Sequence, residues 1–225
     1  MTEMIEPSDL AALIAPLADA GPLTVAVMVS SADGRTTVDG RVGALTGEVD
    51  QKILLGLRQM AAVVVVGGTT VRNEGYDRLL DDDARAARRA LGLPPEPAFL
   101  VVTHSAAGLP EGAIVFELPT YPDGSPDVQA AWQRIRAEHG DGLIVCEGGP
   151  SLLTMLAAQR VLDQLVLCIS PQLVAGDGKR LIEPAAAASG PTEAGSEPSG
   201  FPLKLEPLAV ATAEGFVFVR YGAAP

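Results

Sequence analysis

The sequence predicts an α/β fold in three layers, with a mostly parallel sheet between helices and an antiparallel hairpin at the C-terminal end. Strand-like apolar runs alternate with helical patterns through most of the 225 residues, which is typical of a parallel sheet. Two of the runs, residues 63–66 and 143–146, lead into paired glycines, the second through Glu147. Near the end of the chain, a Glu214-Gly215 turn precedes a last strand-like stretch at 216–221, and this arrangement predicts the hairpin.

The first part of the chain predicts a helical extension, a strand, a loop and a helix. Residues 1–21 form the extension, because leucines recur there at helical spacing, and residues 23–29 form the strand. Residues 30–47 are polar and contain several glycines, so we interpret them as a long functional loop. Apolar side chains spaced along one face of residues 49–60 then predict a helix that leads into the first glycine-ended strand.

The middle of the chain predicts two helices and two strands. A helix over residues 81–92 begins with three aspartates and carries its arginines near its end, in the order that the helix dipole favours. We interpret its charges as a solvated face. Strands are predicted at residues 98–103 and 113–118, and a further helix begins at Ser125-Pro126 and ends at Gly140.

The last third follows the second glycine-ended strand. A helix over 151–160 and a strand over 164–170 are predicted next. Residues 185–200 are rich in Ala, Ser, Gly, Pro and Glu, which predicts a flexible surface loop. Residues 205–212 supply the first strand of the hairpin. The length suits one domain, and we expect residues 1–225 to form it.

Composition and charge narrow the class of protein. The net charge of −12 and the pI near 4.5 argue against nucleic acid or an anionic membrane surface as partner. The first twenty residues resemble neither a signal peptide nor a membrane span, so we expect a cytoplasmic protein. Cys146 and Cys168 each lie in an apolar run, which favours buried thiols in a reducing compartment. No pair of cysteines or histidines has metal-ligand spacing, and no metal site is predicted.

The paired glycines are the strongest functional signal. Glycine lets backbone N–H groups approach a ligand closely, and a helix that starts just after it adds partial positive charge. A single turn of this kind also occurs for purely steric reasons. Two of them, each at the end of a strand, favour a nucleotide that is held from two sides.

Three motifs, in a fixed order, resemble those of a known family. Residues Ser31-Ala32-Asp33-Gly34-Arg35 match an S-x-D-G-[RK] signature, residues 68–72 match G-x-T-V-R, and residues 147–151 read E-G-G-P-S. In this order they resemble the pyrimidine reductases of the riboflavin pathway, here a stand-alone actinobacterial branch. The resemblance covers about residues 23–221. No H-x-E with P-C-x-x-C occurs, so no deaminase half is expected in this chain.

The resemblance implies a dihydrofolate-reductase-like fold and a homodimer. It also implies NADPH as cofactor and hydride transfer to a phosphoribosylaminopyrimidine, 5-amino-6-(5-phosphoribosylamino)uracil, as the reaction. Two alternatives remain open: a reductase of a pterin or dihydrofolate-like substrate, and a nucleotide-binding paralogue that has lost turnover.

The resemblance also assigns roles to residues. Asp33 is expected to bond the pyrimidine or move a proton, with a simple Asp-Gly turn as the alternative, and Glu74 is expected to be a second catalytic carboxylate. Substrate contacts are expected from Ser31, Gly34, Arg72, Tyr76 and Arg78. Cofactor contacts are expected from Thr46, Gly67, Gly68, Thr69, Thr70, Val71, Thr103, Ser105, Glu147, Gly148, Gly149, Pro150 and Ser151.

Three departures from the family pattern fall on the substrate side. The first strand carries no Lys at residues 25–28, the loop has no Trp at 42–45, and residues 72–76 differ from the acidic stretch of the family. A fourth departure concerns the cofactor. Members often carry an Arg near the adenosine ribose, whereas this chain has His104 between Thr103 and Ser105. NADPH, rather than NADH, therefore follows from the resemblance alone.

Overall fold

A computed structural model describes residues 3–5, 10–183 and 200–224 of the chain. It confirms the α/β class, with helices on both sides of a mostly parallel sheet. The predicted flexible loop at 185–200 lies outside the described residues, apart from Gly200. The strands are β1 (Glu3–Ile5), β2 (Thr24–Ser31), β3 (Val63–Gly67), β4 (Ala98–Val102), β5 (Ile114–Phe116), β6 (Ile144–Cys146), β7 (Gln164–Ser170), β8 (Leu205–Ala213) and β9 (Phe216–Ala223).

Six α-helices accompany these strands in the described ranges. The first, of four residues, continues into a 3₁₀ turn at Ala15–Leu17. The helices are α1 (Ala11–Ile14), α2 (Glu48–Met60), α3 (Gly68–Glu74), α4 (Asp82–Ala90), α5 (Val128–His139) and α6 (Pro150–Ala158). No helix in the part of the chain that the structure describes is long and apolar enough to cross a membrane.

The sheet contains nine strands in the order β1-β8-β9-β7-β2-β6-β3-β4-β5. β9 pairs antiparallel with β7 and β8, and the pairs between all other neighbours are parallel. The predicted turn of the hairpin lies at Glu214-Gly215, where both residues have positive φ angles of 50° and 84°. Because β2, β6 and β3 are parallel neighbours, their carboxyl ends lie at the same edge of the sheet.

The N-terminal region differs from the expected helical extension over residues 1–21. Glu3–Ile5 forms a strand that pairs in parallel with β8, and helical structure occupies 11–17 among the residues of this region that the structure describes. The predicted C-terminal hairpin does not form the edge of the sheet, because β1 lies beyond β8. The strands at the two edges of the described sheet are therefore β1 and β5.

Two hydrophobic clusters fill the space on either side of the sheet. In β3, Val64 and Val66 face the cluster that contains the apolar face of α2, whereas Val63 and Val65 face the cluster built on α5 and α6. All four valines are fully buried, as expected for a central parallel strand. The three layers follow from this alternation.

Arg88 corrects the expectation that the charges of α4 form a solvated face. Its side chain is only 1% exposed. The guanidinium donates to the carbonyl oxygens of Gln59 and Ala61, at 2.8 and 2.7 Å, and to Pro94 O at 2.8 Å. Burial lowers the pKa of Arg88. The buried cation satisfies the last carbonyls of α2 and fixes the C-terminal end of that helix.

The helix expected to begin at Ser125-Pro126 begins at Val128 instead. Asp127 is its N-cap, and the Asp127 carboxylate accepts from Ala130 N at 2.9 Å. A carboxylate satisfies the free N–H groups of a first turn at least as well as a serine does. Ser125 bonds the side chain of Asp123 in the preceding turn.

Candidate active site

The two glycine turns meet at the carboxyl edge of the sheet. β3 and β6 are adjacent and parallel, with Val65 opposite Cys146. Just beyond this pair, Gly67 N donates to Gly148 O at 2.7 Å. α3 begins at Gly68 and α6 begins at Pro150, so two helix starts lie beside the contact between the turns.

The glycines allow the turns to pack closely. A Cβ atom on Gly149 would lie 2.8 Å from Thr70 Oγ1, and one on Gly68 would lie 2.8 Å from Thr103 Cβ. Gly148 has a φ of +82°, and the Gly148-Gly149 peptide bond is cis. Neither α3 nor α6 has a side-chain cap. Their first N–H groups are therefore not satisfied by capping side chains.

A cleft of about 870 Å³ opens beside the turns. This volume is in the range of small-molecule sites. Apolar side chains from β2, β7, β9 and α2 form one wall, and polar residues of the 36–46 loop, the end of α3 and the 177–179 segment form the rest. The lining residues used below are Thr46, Asp50, Arg58, Thr69, Thr70, Glu74, Tyr76, Arg78, Cys168 and Lys179.

Glu147 holds the second glycine turn through its side chain. Its carboxylate receives two hydrogen bonds from Arg58 of α2, at 2.6 and 2.7 Å, and one from Tyr76 OH at 2.7 Å. The side chains of Arg58 and Glu147 are 14% and 2% exposed. Burial works against the charge of Arg58, but the contact with Glu147 outweighs it and raises the pKa of Arg58. The side chain of Glu147 thus anchors Gly148 to α2 and to the segment after α3.

Tyr76 completes this cluster. Its ring stacks on Phe99 with centroids 5.9 Å apart, and the Arg58 guanidinium lies 5.4 Å from the ring centroid of Tyr76. Burial and the nearby charge of Glu147 raise the pKa of Tyr76 well above its usual value. The phenol therefore stays protonated and donates to Glu147.

Asp50 is a half-buried carboxylate in the wall of the cleft. It lies in the first turn of α2 and accepts a hydrogen bond from Gly47 N. Burial raises the pKa of Asp50, although the bond from Gly47 opposes the shift. Cys168 lines the same cleft, and burial together with the charge of Asp50 raises the pKa of its thiol to about 12. A carboxyl group with a raised pKa in an apolar wall is typical of functional sites.

The remaining charged groups of the cleft differ in how they are held. Glu74 Oε1 accepts from Val42 N at 3.1 Å, which ties the end of α3 to the 36–46 loop. Arg78 bonds the exposed Asp82 at 2.5 Å. Lys179 has an exposed side chain, while its backbone bonds Thr36.

Asp33 lies outside the residues that line the cleft. Its carboxylate accepts from Ser31 Oγ at 2.6 Å and from the backbone N–H groups of Val174 and Ala175, at 3.0 and 2.8 Å. The bond from Ser31 has the largest effect on the carboxylate, and the two backbone bonds add to it. Together they hold the pKa of Asp33 well below its usual value. The S-x-D-G motif therefore joins the loop after β2 to the loop after β7, and the catalytic role of Asp33 stays a prediction.

Arg72 lies away from the cleft, against the segment after β4. Its Nε donates to Ala107 O at 2.8 Å, and its Nη2 donates to Thr103 Oγ1 and Ser105 O at 3.2 and 2.8 Å. The structure thus places Arg72, expected at the substrate, beside two residues that were expected at the cofactor.

The predicted residues divide into two sets by position. One set lines the cleft, and the other lies behind it or along the sheet edge. The first comprises Thr46, Thr69, Thr70, Glu74, Tyr76, Arg78, Glu147, Gly149 and Pro150, and the second comprises Ser31, Asp33, Gly34, Gly67, Gly68, Val71, Arg72, Thr103, Ser105, Gly148 and Ser151.

Sequence reasoning missed Asp50, Arg58 and Lys179, which all line the cleft. Asp50 had a usable signal, because a carboxylate in the first turn of a helix after a long polar loop is a candidate for both capping and function. Nothing in the local sequence distinguishes Arg58 from a solvated arginine. In the described ranges, no group of three or more His, Cys, Asp or Glu side chains is placed to hold a metal ion.

Solved structures with the same fold include several reductases. A pyrimidine reductase-like protein from Corynebacterium diphtheriae is 20% identical, with a TM-score of 0.72, and the match covers 91% of this chain and 92% of that one. The riboflavin biosynthesis reductase Rib7 of Saccharomyces cerevisiae is 14% identical, with a TM-score of 0.64 and coverage of 96% and 100%. A dihydrofolate reductase from Enterococcus faecalis, complexed with NADP(H), is 14% identical, with a TM-score of 0.56 and coverage of 91% and 98%.

The sequence comparisons place the chain more narrowly. No curated protein matches it. The family model of the RibD C-terminal domain matches residues 22–198, a span that includes all three motifs and both glycine turns. This chain belongs to the RibD C-terminal domain family, the reductase family of the riboflavin pathway.

Proposed function

We propose that this protein is an NADPH-dependent reductase that acts on 5-amino-6-(5-phosphoribosylamino)uracil. The observation that carries the proposal is the contact between the two glycine turns next to a cleft of about 870 Å³. One surface then offers backbone donors for a pyrophosphate, and the adjoining cleft offers room for two rings side by side. Membership of the reductase family supports the same reaction class.

The residues at the turns fit a nicotinamide dinucleotide. The start of α6 has no side-chain cap, and Ser151 beside it is exposed. Thr69 and Thr70 add hydroxyl groups from the facing turn. Backbone N–H groups at a helix start, hydroxyls and the helix dipole are the donors that proteins use for pyrophosphate. The cluster of Arg58, Tyr76 and Glu147 would keep this donor set in position.

The reduction adds a hydride and a proton to the substrate, and the nicotinamide supplies the hydride when it is bound. The tasks of the chain are to position the two rings and to exclude water from the apolar wall. Asp50 stands in that wall with a raised pKa. We therefore propose that the Asp50 carboxyl group hydrogen-bonds the pyrimidine or holds the proton that accompanies the hydride.

The charges of the cleft support a second candidate, reduction of a pterin or dihydrofolate-like heterocycle. Six carboxylates and three cations line the cleft. Two of the cations, Arg58 and Arg78, already bond carboxylates. Among the described residues of the cleft, Lys179 is then the cation without a carboxylate partner. A heterocycle that carries no phosphate group therefore also suits the site.

Titration of the purified protein with NADPH and NADH, followed by nicotinamide fluorescence, tests the proposal. Saturable binding, and oxidation of bound NADPH when the phosphoribosylaminopyrimidine is added, is the expected result. Oxidation by dihydrofolate alone would favour the second candidate. Binding without oxidation by either substrate would indicate a nucleotide-binding paralogue, and the absence of binding would refute a nicotinamide-dependent reaction.

A further inference from the structure

We propose that Arg72, with Ser105, forms the subsite that recognises a phosphate monoester on the adenosine ribose and so selects NADPH over NADH. This inference rests on the proposed function for the presence of the dinucleotide. It concerns a different residue from the one that the family pattern predicts, because position 104 is a histidine here.

The position of Arg72 follows from the order of the strands. The cleft lies on the β2, β7 and β9 side of the glycine turns, whereas β4 lies next to β3 on the other side. If the pyrophosphate lies over the turns of β3 and β6 and the nicotinamide enters the cleft, the adenosine must extend towards the end of β4. Thr103, Ser105 and Arg72 meet at that strand end.

The guanidinium is fixed and still has donors to offer. Nε and Nη2 are used in three bonds to the segment after β4, and the aliphatic part of Arg72 lies against Gly108, where a Cβ atom would be 3.7 Å from Arg72 Cγ. Nη1 has no acceptor in the ranges that the structure describes. A preorganised arginine with one free edge binds phosphate at low entropic cost.

The charge of Arg72 is also uncompensated. Every bond that holds it goes to a neutral oxygen, and no carboxylate pairs with Arg72 among the described residues. The side chain of Arg72 is exposed in a chain with a net charge of −12, so its cation is open to an anionic ligand. Ser105 Oγ accepts from Ala107 N at 3.2 Å, which leaves its proton available to a phosphate.

The test compares Arg72→Gln with the wild type in binding NADPH, NADH, 2′,5′-ADP and 5′-ADP by calorimetry. A charge-assisted contact with phosphate is worth about a 10- to 100-fold change in affinity. We expect Arg72→Gln to weaken NADPH and 2′,5′-ADP by that factor, with NADH and 5′-ADP unchanged. Arg72→Lys should recover part of the loss, because it keeps the charge but not the planar fork.

Arg89→Gln is the matched control, because Arg89 is an exposed arginine near the end of α4 and outside the cleft. Equal losses for NADPH and NADH in Arg72→Gln would assign the residue to loop structure and overturn the inference. Equal wild-type affinities for NADPH and NADH would overturn it too, while the proposed reductase function would stand. If the wild type bound neither nucleotide, both would fail.

Discussion

Asp33 and Asp50 lie at opposite ends of the loop that joins β2 to α2, and their carboxylates are held in contrasting ways. Asp33 is exposed, yet three hydrogen bonds satisfy it and lower its pKa. Asp50 is half-buried and accepts a bond from Gly47, and burial raises its pKa. Hydrogen bonding stabilises the charge in one case, and desolvation destabilises it in the other.

The contrast shows that, of these two carboxylates, the more recognisable one is not the one that lines the cleft. Asp33 belongs to a clear sequence motif, but its oxygens are already used by neighbouring loops. Asp50 belongs to no motif that we identified, but it borders the space where a substrate fits. Glu147 is a third case, since it is buried and fully paired.

The largest effect is expected when the pairing of Glu147 is broken. Arg58→Met leaves the carboxylate buried with Tyr76 alone, and the loss of one partner of a buried ion pair costs about 3–5 kcal/mol of unfolding free energy. Chemical denaturation of the variant measures it, with Arg89→Met as the control at an exposed site.

The size of this loss follows from the pairing, because the Arg58 guanidinium and the Tyr76 hydroxyl are the donors that satisfy the buried Glu147 carboxylate. If Arg58→Met were as stable as the wild type at neutral pH, the buried Glu147 carboxylate would not need its arginine partner, and the prediction would be wrong.

The next effect concerns Asp50 and sharpens the comparison directly. Asp50→Asn keeps the shape and the bond from Gly47 but removes the ionisable group. We expect turnover to fall by about 100-fold or more, with NADPH affinity unchanged. Because the pKa of Asp50 is raised, the protonated form persists to higher pH, and wild-type turnover should decline as the pH passes above that value.

Steady-state kinetics across pH check this prediction, with Glu48→Gln as a control at an exposed position of the same turn. In Asp50→Asn the alkaline decline should disappear. Turnover and a pH profile like those of the wild type would exclude Asp50 from the reaction.

The smallest effect is expected for Asp33→Asn. The amide offers one oxygen in place of two, so the bonds to Val174 and Ala175 cannot both be kept. We expect a modest fall in Tm and a several-fold fall in turnover, with NADPH affinity unchanged. The difference in stability from the wild type should be present at neutral pH and vanish as the pH falls below the usual range for aspartate, because the pKa of Asp33 is lowered.

Thermal melts at several pH values and kinetics measure these effects, and Asp141→Asn is the control at an exposed site on the opposite edge. Complete loss of turnover at unchanged Tm would restore Asp33 as the catalytic residue that the motif predicts.

The elements with strong patterns could be predicted from the sequence, and the ones that depend on distant partners could not. The strand at 164–170 has the predicted bounds, because an apolar run between polar residues is a local signal. β1 has only three residues and exists through its pairing with β8, about two hundred positions away. No local pattern reports such a pair.

The same reason separates the predicted and missed parts of the candidate site. The glycine turns could be found because each is written in consecutive residues. Arg58 and Glu147 are 89 positions apart, and the Arg72 contacts span 31 to 35 positions. Side chains that act through the tertiary structure can be assigned only when the fold has been described.

Helix α2 also sets the distance between Asp50 in the wall of the cleft and Arg58 beside the second glycine turn. Asp50 and Arg58 lie eight positions apart on it, which corresponds to about 12 Å along the axis at 1.5 Å per residue. Inserting one residue between them would lengthen that spacing and turn one end by about 100° relative to the other. Arg88 locks the C-terminal end of the helix, so the N-terminal end would have to absorb the rotation and carry Asp50 out of the cleft. Homologues with the same chemistry should therefore vary in the loops around this helix and keep the number of residues within it constant.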